Sequence, residues 1–201
     1  MNNTNKIIII GGGLAGCEAA YQISKFDINV DLYEMRPKVK TEAHQTKYLA
    51  ELVCSNSFRS DDKEFNAVGV LHEELRIADS LIMKCADHNK VPAGSALAVD
   101  RNNFAAEVSK IIKSISNINI INQEVRNLDE FKNQIVIVST GPLTSKAFAK
   151  SIKDKTYENS LAFYDAIAPI VYKETINMSV AWKQSRYDKG NGNDYINCPL
   201  S

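Results

Sequence analysis

The chain lacks the bulk features that mark membrane proteins and general nucleic-acid binders. Its 201 residues have no net charge, because 24 acidic side chains balance 24 basic ones. Contact with a polyanion therefore requires a local basic patch rather than overall attraction. No apolar run approaches the roughly 20 residues that cross a bilayer, and the N-terminal apolar stretch runs into glycines instead of a signal-peptide cleavage site. We expect a cytoplasmic protein without membrane attachment.

The chain also lacks the side-chain spacings of metal and disulfide sites. Its four cysteines, at positions 17, 54, 85 and 198, show neither metal-binding nor redox spacing. The three histidines have no ligand spacing either, so we predict no metal site. A single cysteine in an intracellular chain is more often a small buried hydrophobe than a nucleophile. That interpretation is preferred for Cys17 and Cys85, which fall on predicted helix faces.

The first thirty-four residues contain the strongest pattern in the chain. Residues 6–10 form an apolar β-branched run, and the glycine-rich sequence GGGLAG of residues 11–16 follows directly. A helical stretch comes next, and then a second strand that ends at Glu34. This order of strand, glycine-rich turn, helix, strand and acid is the dinucleotide-binding fingerprint in its required context. The sequence therefore predicts nucleotide binding.

Each residue type in the fingerprint has a physical reason. Gly11 permits the tight turn, Gly13 lets the backbone approach a pyrophosphate, and Gly16 lets the helix pack closely on the strand. The helix N-terminus presents N–H groups and a partial positive charge to the phosphates. Glu34 lies at the spacing expected for a carboxylate that holds a ribose hydroxyl.

Three later patterns predict the remainder of the fold. Apolar residues at helical spacing predict one long amphipathic helix over residues 71–85. Residues 135–138 (IVIV) predict a fully buried strand, and residues 139–142 a small-residue turn at its carboxyl end, where open α/β sheets bind ligands. Either Asp100 or Asn102 can cap the helix that follows.

These patterns predict an α/β fold with two parts. Residues 1–155 are predicted to form a Rossmann-like dinucleotide-binding domain. From about Tyr157 the sequence changes to irregular β character, so residues 156–201 are predicted to begin a second, α+β substrate region.

Several strings in the chain resemble those of a known family. The fingerprint and six further strings are similar to the folate- and FAD-dependent tRNA (uracil-5-)-methyltransferases, which are flavoproteins related to GidA. The strings are LYEMRP at 32–37, ELVCSNS at 51–57, VPAG at 91–94, ALAVDR at 96–101, STGP at 139–142 and YINCP at 195–199. The resemblance runs from the first strand to the last residues and identifies the chain as a member of this family.

The resemblance implies a fold, a cofactor and a reaction. It implies an FAD-binding domain of the glutathione-reductase type, in which the adenosine and pyrophosphate lie against Gly11, Gly12, Gly13, Leu14, Ala15, Gly16 and Glu34. Family members reduce FAD with NAD(P)H, take a one-carbon unit from methylenetetrahydrofolate and methylate a T-loop uridine of tRNA. Basic side chains between Arg36 and Lys47 can meet tRNA phosphates, although a solvated loop is the preferred interpretation.

The resemblance also assigns roles to two cysteines. Cys198 matches the cysteine associated with attack on the uracil ring, and Cys54 matches a second functional cysteine close to the flavin. Uracil carbon-5 is a poor nucleophile until a group adds at carbon-6, and a thiolate is well suited to that addition. An active thiol needs a neighbouring cation or dipole, because an ordinary thiol is mostly protonated at neutral pH.

Family members are longer than this chain, and a later segment normally closes their FAD domain. The expectation is therefore a truncated, incomplete FAD domain in a chain that is inactive alone. One alternative is half of a split enzyme, completed by a separate C-terminal-half polypeptide. Another is a plain nucleotide-binding oxidoreductase fragment, which leaves the strings outside the fingerprint unexplained.

Overall fold

The computed structural model describes residues 6–157, 171–185 and 192–199. The chain divides into two compact units: the first comprises Met1–Cys54 with Ala105–Ile167, and the second Ser55–Phe104 with Ala168–Ser201. The predicted boundary after residue 155 stays a prediction, because residues 158–170 lie outside the described part.

Most of the strands and helices among the described residues lie in the N-terminal three-quarters of the chain. The strands are β1 (Lys6–Ile10), β2 (Asn29–Glu34), β3 (Ser57–Ser60), β4 (Lys90–Val91), β5 (Ala96–Val99), β6 (Ile118–Asn122), β7 (Ile135–Val138), β8 (Trp182–Gln184) and β9 (Tyr195–Asn197). The helices are α1 (Leu14–Ser24), α2 (Ala67–Ile77), α3 (Leu81–His88), α4 (Arg101–Ser114) and α5 (Lys146–Thr156).

The first unit is built on a four-stranded sheet of order β6-β2-β1-β7. All three strand pairs are parallel, with Ile8 opposite Asp31 on one side and Val136 on the other. Ile8 and Ile10 join an apolar core with Phe131 and Phe148, while Ile9 is also fully buried. Successive side chains point to opposite faces, so both faces of β1 are covered, as a parallel sheet requires. The predicted α/β fold is confirmed.

Strand β7 differs from its prediction as a fully buried strand. Within the described residues it pairs with β1 alone and forms an edge of the sheet. Val136 packs against the core, but Ile135 is 65 % exposed and Val138 is 42 % exposed. The prediction was wrong because an apolar run does not reveal how many neighbours a strand has.

The second unit contains two small antiparallel sheets. One has the order β3-β5-β4, and the other pairs β8 with β9. The phenol of Tyr195 donates a hydrogen bond to the carbonyl oxygen of Ala93 over 2.9 Å, which ties β9 to the segment before β5. Phe58 and Phe104 meet edge to face with their ring centroids 5.6 Å apart. Asp100 caps α4 by accepting from the Asn103 N–H, as predicted for one of two candidate residues.

The single long helix predicted over residues 71–85 is instead two helices. Helix α2 ends at Ile77, and Asp79 adopts a left-handed φ of 54° that breaks the helical path. Ser80 then caps α3 by accepting from the Met83 N–H over 3.2 Å. The prediction was wrong because the apolar spacing continues across the break, while the short polar residues at 79 and 80 stop one helix and start another.

Candidate functional site

The glycine-rich turn joins β1 to α1 in the first unit, and two of its glycines are needed by the fold itself. Gly11 has a left-handed φ of 109°, and a Cβ there would lie 2.7 Å from the Ser139 carbonyl oxygen. A Cβ on Gly16 would collide with the carbonyl oxygen of Gly11. These contacts give the tight turn and the close helix–strand packing that the fingerprint predicts.

Gly12 and Gly13 are adjacent but have opposite surroundings. A Cβ on Gly12 would lie 2.6 Å from the Leu49 Cδ2 atom and 2.8 Å from the Glu34 Oε2 atom. A Cβ on Gly13 would meet no atom of residues 6–157, 171–185 or 192–199 within 4 Å, and its φ of −77° is one that any residue adopts. The packing of the described residues therefore does not require glycine at position 13. A side chain there would instead project into the open space in front of the turn.

Helix α1 begins at this open space with its polar backbone groups available. Gly13 is the N-cap residue, the cap makes no side-chain hydrogen bond, and the first turn carries no acidic residue. The first N–H groups of a helix have no partner inside the helix and carry a partial positive charge. The start of α1 is thus suited to a pyrophosphate.

The open space is a cavity of about 260 Å³ within the first unit. This volume is slightly below the roughly 300–1,000 Å³ of typical small-molecule sites, so it suits part of a dinucleotide. The cavity lies at the carboxyl ends of β1, β2 and β7, where open α/β sheets bind ligands. Its wall includes all the predicted cofactor residues except Gly16, which packs behind the turn. The lining also includes Arg36, His44, Glu51, Val53, Gln123, Glu124, Val125, Ser139, Thr140, Gly141 and Phe148.

Three charged side chains in the cavity wall form a buried network, here called the cavity triad: Glu34, Arg36 and Glu51. The Arg36 Nε atom donates to Glu34 over 2.8 Å, and its Nη1 atom donates to Glu51 over 2.8 Å. The second oxygen of Glu34 accepts the Gly12 N–H over 2.9 Å. The side chains of Glu34, Arg36 and Glu51 are only 7 %, 3 % and 9 % exposed.

The network keeps Glu34 and Arg36 charged. Burial by itself would raise the pKa of Glu34, but the hydrogen bonds and positive charge of Arg36 outweigh burial and lower that pKa. Burial would likewise lower the pKa of Arg36, while Glu34 and Glu51 raise it beyond its ordinary value. Glu34 is therefore an ionised carboxylate, the form that accepts a hydrogen bond from a ribose hydroxyl.

The four cysteines fall into two classes. Cys17 and Cys85 are fully buried, in line with their interpretation as packing residues. Burial and the nearby Glu34 carboxylate raise the pKa of Cys17 to about 12, so this thiol stays protonated. Cys54 and Cys198 are both exposed. Cys54 is the last residue of the N-terminal segment of the first unit, and Cys198 follows β9 in the second unit.

Sequence reasoning missed the parts of the site that depend on distant pairing. The basic segment from Arg36 to Lys47 reads as a solvated loop, yet Arg36 is 2 % exposed and bound to two carboxylates. His44, with its Nδ1 atom 3.1 Å from the Thr41 hydroxyl, lines the cavity. The position of Arg36 two residues after Glu34 is the one sequence signal that suggests their pairing.

Two general findings narrow the kind of site. Among the described residues, no group of three or more His, Cys, Asp or Glu side chains is arranged to hold a metal ion. Within the same ranges, every helix falls short of the length and apolar character that crossing a membrane requires.

Comparison with known proteins identifies the family. The family model described as "Glucose inhibited division protein A" matches residues 6–201. The chain belongs to this family. The resemblance drawn from the sequence strings is thereby confirmed, since curated relatives also match across nearly the whole chain.

Those relatives carry the name methylenetetrahydrofolate–tRNA-(uracil-5-)-methyltransferase TrmFO. The protein from Bartonella henselae is 57 % identical over 199 residues, covering 97 % of this chain and 42 % of the relative. The protein from Rhizobium meliloti is 54 % identical over 209 residues, covering 100 % of this chain and 44 % of the relative. The chain therefore spans less than half the length of these relatives of the family.

One solved structure has a fold similar to that of part of this chain. Aquifex aeolicus GidA matches with a TM-score of 0.54 and 16 % sequence identity, over 68 % of this chain and 25 % of that protein. At this identity the likeness concerns the fold alone, and it agrees with the Rossmann-type sheet of the first unit.

Proposed function

We propose that the cavity of the first unit binds the adenosine and pyrophosphate portion of FAD. The observation that carries this proposal is Gly13, whose missing side chain leaves space that no atom of the described residues occupies. The uncapped start of α1 faces the same space with N–H groups suited to a pyrophosphate. The ionised Glu34 carboxylate lies in the same wall and suits a ribose hydroxyl.

The residues present fit the adenosine side of FAD. Gly11, Gly12, Gly13, Leu14 and Ala15 would hold the pyrophosphate, Gly16 would set the turn, and Glu34 would hold the ribose. Bound FAD would supply the reducing equivalents that turn a one-carbon unit into a methyl group. The protein's own contribution is to orient the nucleotide and to keep the Glu34 carboxylate ionised through Arg36.

We further propose that the chain contributes this nucleotide site to folate-dependent methylation of a tRNA T-loop uridine. The support is the name carried by the relatives, which are up to 57 % identical over nearly the whole chain. Methylenetetrahydrofolate would donate the carbon and NAD(P)H would reduce the flavin. Because the chain spans about 42–44 % of those relatives, catalysis is proposed for the chain together with their remaining sequence, in the same or a separate polypeptide.

In this reaction Cys198 is proposed to add to the uracil ring and Cys54 to act close to the flavin. Their support is the family resemblance and their exposure, which leaves both thiols accessible. A thiolate adding at carbon-6 makes carbon-5 nucleophilic, which is the step that methylation requires.

FAD binding is tested by substituting the glycine that the fold does not need. Gly13→Val should leave the melting temperature of the 201-residue chain near its original value, yet weaken FAD binding at least about tenfold, because the new side chain fills the space of the pyrophosphate. Ala67→Val, which introduces the same side chain at an exposed position of α2, is the control. Unchanged FAD affinity in a folded Gly13→Val protein would contradict the proposal.

The roles of the cysteines are tested in the chain joined to the remaining sequence of the Bartonella henselae relative. Methylation of T-loop uridine should be lost in Cys198→Ala and in Cys54→Ala but retained in Cys85→Ala, which alters a buried packing residue. A fully active Cys198→Ala protein would remove Cys198 as the attacking group without affecting the FAD proposal.

A further inference from the structure

Arg36 stands where a nucleotide-binding fold often selects between two cofactor classes. In such folds an acid at the end of the second strand binds a ribose 2′-hydroxyl, whereas a nearby arginine accommodates a 2′-phosphate. This chain has both, with Glu34 at the end of β2 and Arg36 two positions later, and both line the cavity. The sequence alone is therefore compatible with either class of nucleotide.

The structure shows that the Arg36 guanidinium is already engaged. Its Nε atom donates to Glu34 and its Nη1 atom donates to Glu51, each over 2.8 Å. The Asn122 side chain additionally holds the Arg36 carbonyl oxygen over 2.6 Å, which fixes the backbone from which the side chain starts. Arg36 is 2 % exposed, so its positive charge is paired with the two carboxylates and is not available to a ligand in the cavity.

Glu51 is the residue that completes this arrangement. One of its oxygens binds Arg36, and the other accepts the N–H groups of Gln45 and Thr46 over 2.8 and 3.1 Å. The carboxylate is therefore held from both sides and cannot turn away from Arg36 without losing two backbone hydrogen bonds. Glu51 lies fifteen positions beyond Arg36, so local sequence does not reveal the pairing.

The charges that line the cavity are unfavourable for an additional phosphate. Among the described residues that line it, three are acidic, Glu34, Glu51 and Glu124, and Arg36 is the one arginine or lysine. Arg126 lies 3.7 Å from Glu124, but its side chain is 71 % exposed and it is not part of the cavity wall. Like charges brought together at a binding surface weaken binding, so an acidic lining disfavours a ligand with an additional phosphate.

We infer that Glu51 is a specificity-determining residue: by occupying Arg36 it makes the cavity select adenosine nucleotides with a free 2′-hydroxyl and reject those with a 2′-phosphate. The inference rests on the proposed function, since it assumes that the adenosine end of a dinucleotide occupies this cavity. It concerns the adenosine site alone and does not concern the nicotinamide nucleotide that reduces the flavin. Glu51 acts through Arg36 and is a positioning residue.

The test compares two ligands that differ only in the 2′-phosphate. Calorimetric titration of the 201-residue chain should show ADP-ribose binding at least about tenfold tighter than 2′-phospho-ADP-ribose. In Glu51→Gln the ratio of the two affinities should fall by about tenfold, because the neutral amide removes one negative charge and releases the Arg36 Nη1 atom. Glu51→Asp, which keeps the charge, should preserve the selectivity.

The outcomes separate this inference from the proposed function. Equal affinity of the original chain for both ligands, or an unchanged ratio in a folded Glu51→Gln protein, would overturn the role of Glu51 while leaving nucleotide binding in place. No binding of ADP-ribose by the original chain would overturn the proposed function and this inference together. If Glu51→Gln does not fold, Glu51→Ala takes its place, because it also removes the charge, and an unchanged ratio in that protein overturns the role of Glu51.

Discussion

The two units each contain an arginine bound to carboxylates, but the two networks differ in burial and in what they face. The cavity triad has an Arg36 side chain that is 3 % exposed. The second network, here called the helix cluster, comprises Asp61, His72, Arg76, Asp87 and Lys90. Its Arg76 side chain is 25 % exposed and binds Asp61 and Asp87 over 2.9 and 2.7 Å.

The difference shows how similar residues serve different purposes. In the cavity triad, two carboxylates share one buried cation in the wall of a cavity, so the arrangement affects a ligand as well as the fold. In the helix cluster, Asp61 accepts from His72 on α2 and from Arg76, and Arg76 reaches Asp87 on α3. The cluster therefore joins the two helices that replace the single predicted helix, and it contributes to the fold.

The largest effect is expected when the cation of the cavity triad is removed. Arg36→Met should lower the free energy of unfolding by about 3–5 kcal/mol, because it leaves two buried carboxylates without the cation that pairs with them. Denaturant unfolding measures the change. Arg126→Met is the matched control, since its exposed ion pair should contribute about 1 kcal/mol or less. Similar losses for the two variants would show that the triad is no more than a surface pair.

A smaller effect is expected from the central carboxylate of the helix cluster. Asp61→Asn should cost about 1–3 kcal/mol, because the buried His72 and the partly buried Arg76 lose a charged acceptor. Asp87→Asn is the matched control, because its side chain is 39 % exposed and solvent can replace it. Thermal melts measure the loss of stability in each variant. A greater loss in Asp87→Asn than in Asp61→Asn would contradict the claim that Asp61 is the central carboxylate of the helix cluster.

The smallest expected effect is the change of stability with pH, for which the pKa shifts predict a definite direction. Burial by itself would raise the pKa values of Glu34 and Asp61. Both pKa values are nevertheless lowered, because Arg36 stabilises the Glu34 carboxylate, and His72 and Arg76 stabilise that of Asp61. Such groups stabilise the folded state above their unfolded pKa values, about 4.3 for Glu and 3.9 for Asp. That stability should be lost as the pH falls through the lower folded values.

Arg36→Met separates the two networks in the same experiment. Without the guanidinium, burial is opposed only by the hydrogen bonds from the N–H groups of Gly12 and residue 36, so we expect the pKa of Glu34 to rise above its unfolded value. The contribution of Glu34 should then change sign, so that the variant loses stability as the pH rises through the new folded pKa. Arg76→Met leaves the cavity triad intact. In melts of this variant at several pH values, the contribution of Glu34 to stability should still be lost as the pH falls. The same sign in both variants would refute the difference between the networks.

The sequence by itself determined the first unit's turn, the order of its elements and its family. Strand β1, the glycines, α1 and β2 are contiguous, and their chemistry is local: Gly11 is needed for its backbone angle, and Gly16 for its contact with Gly11 in the same turn. A pattern whose parts interact over a few residues can be recognised before the chain is folded.

Only the tertiary structure decided the remainder. The position of β7 at a sheet edge depends on which strands lie beside it, and the apolar sequence IVIV does not encode that number. Arg36 reaches Glu51 and Asp61 reaches Arg76, each across fifteen positions. A charged side chain has many acceptable partners along the chain, and folding selects among them by bringing particular carboxylates within hydrogen-bonding distance in a place that excludes water.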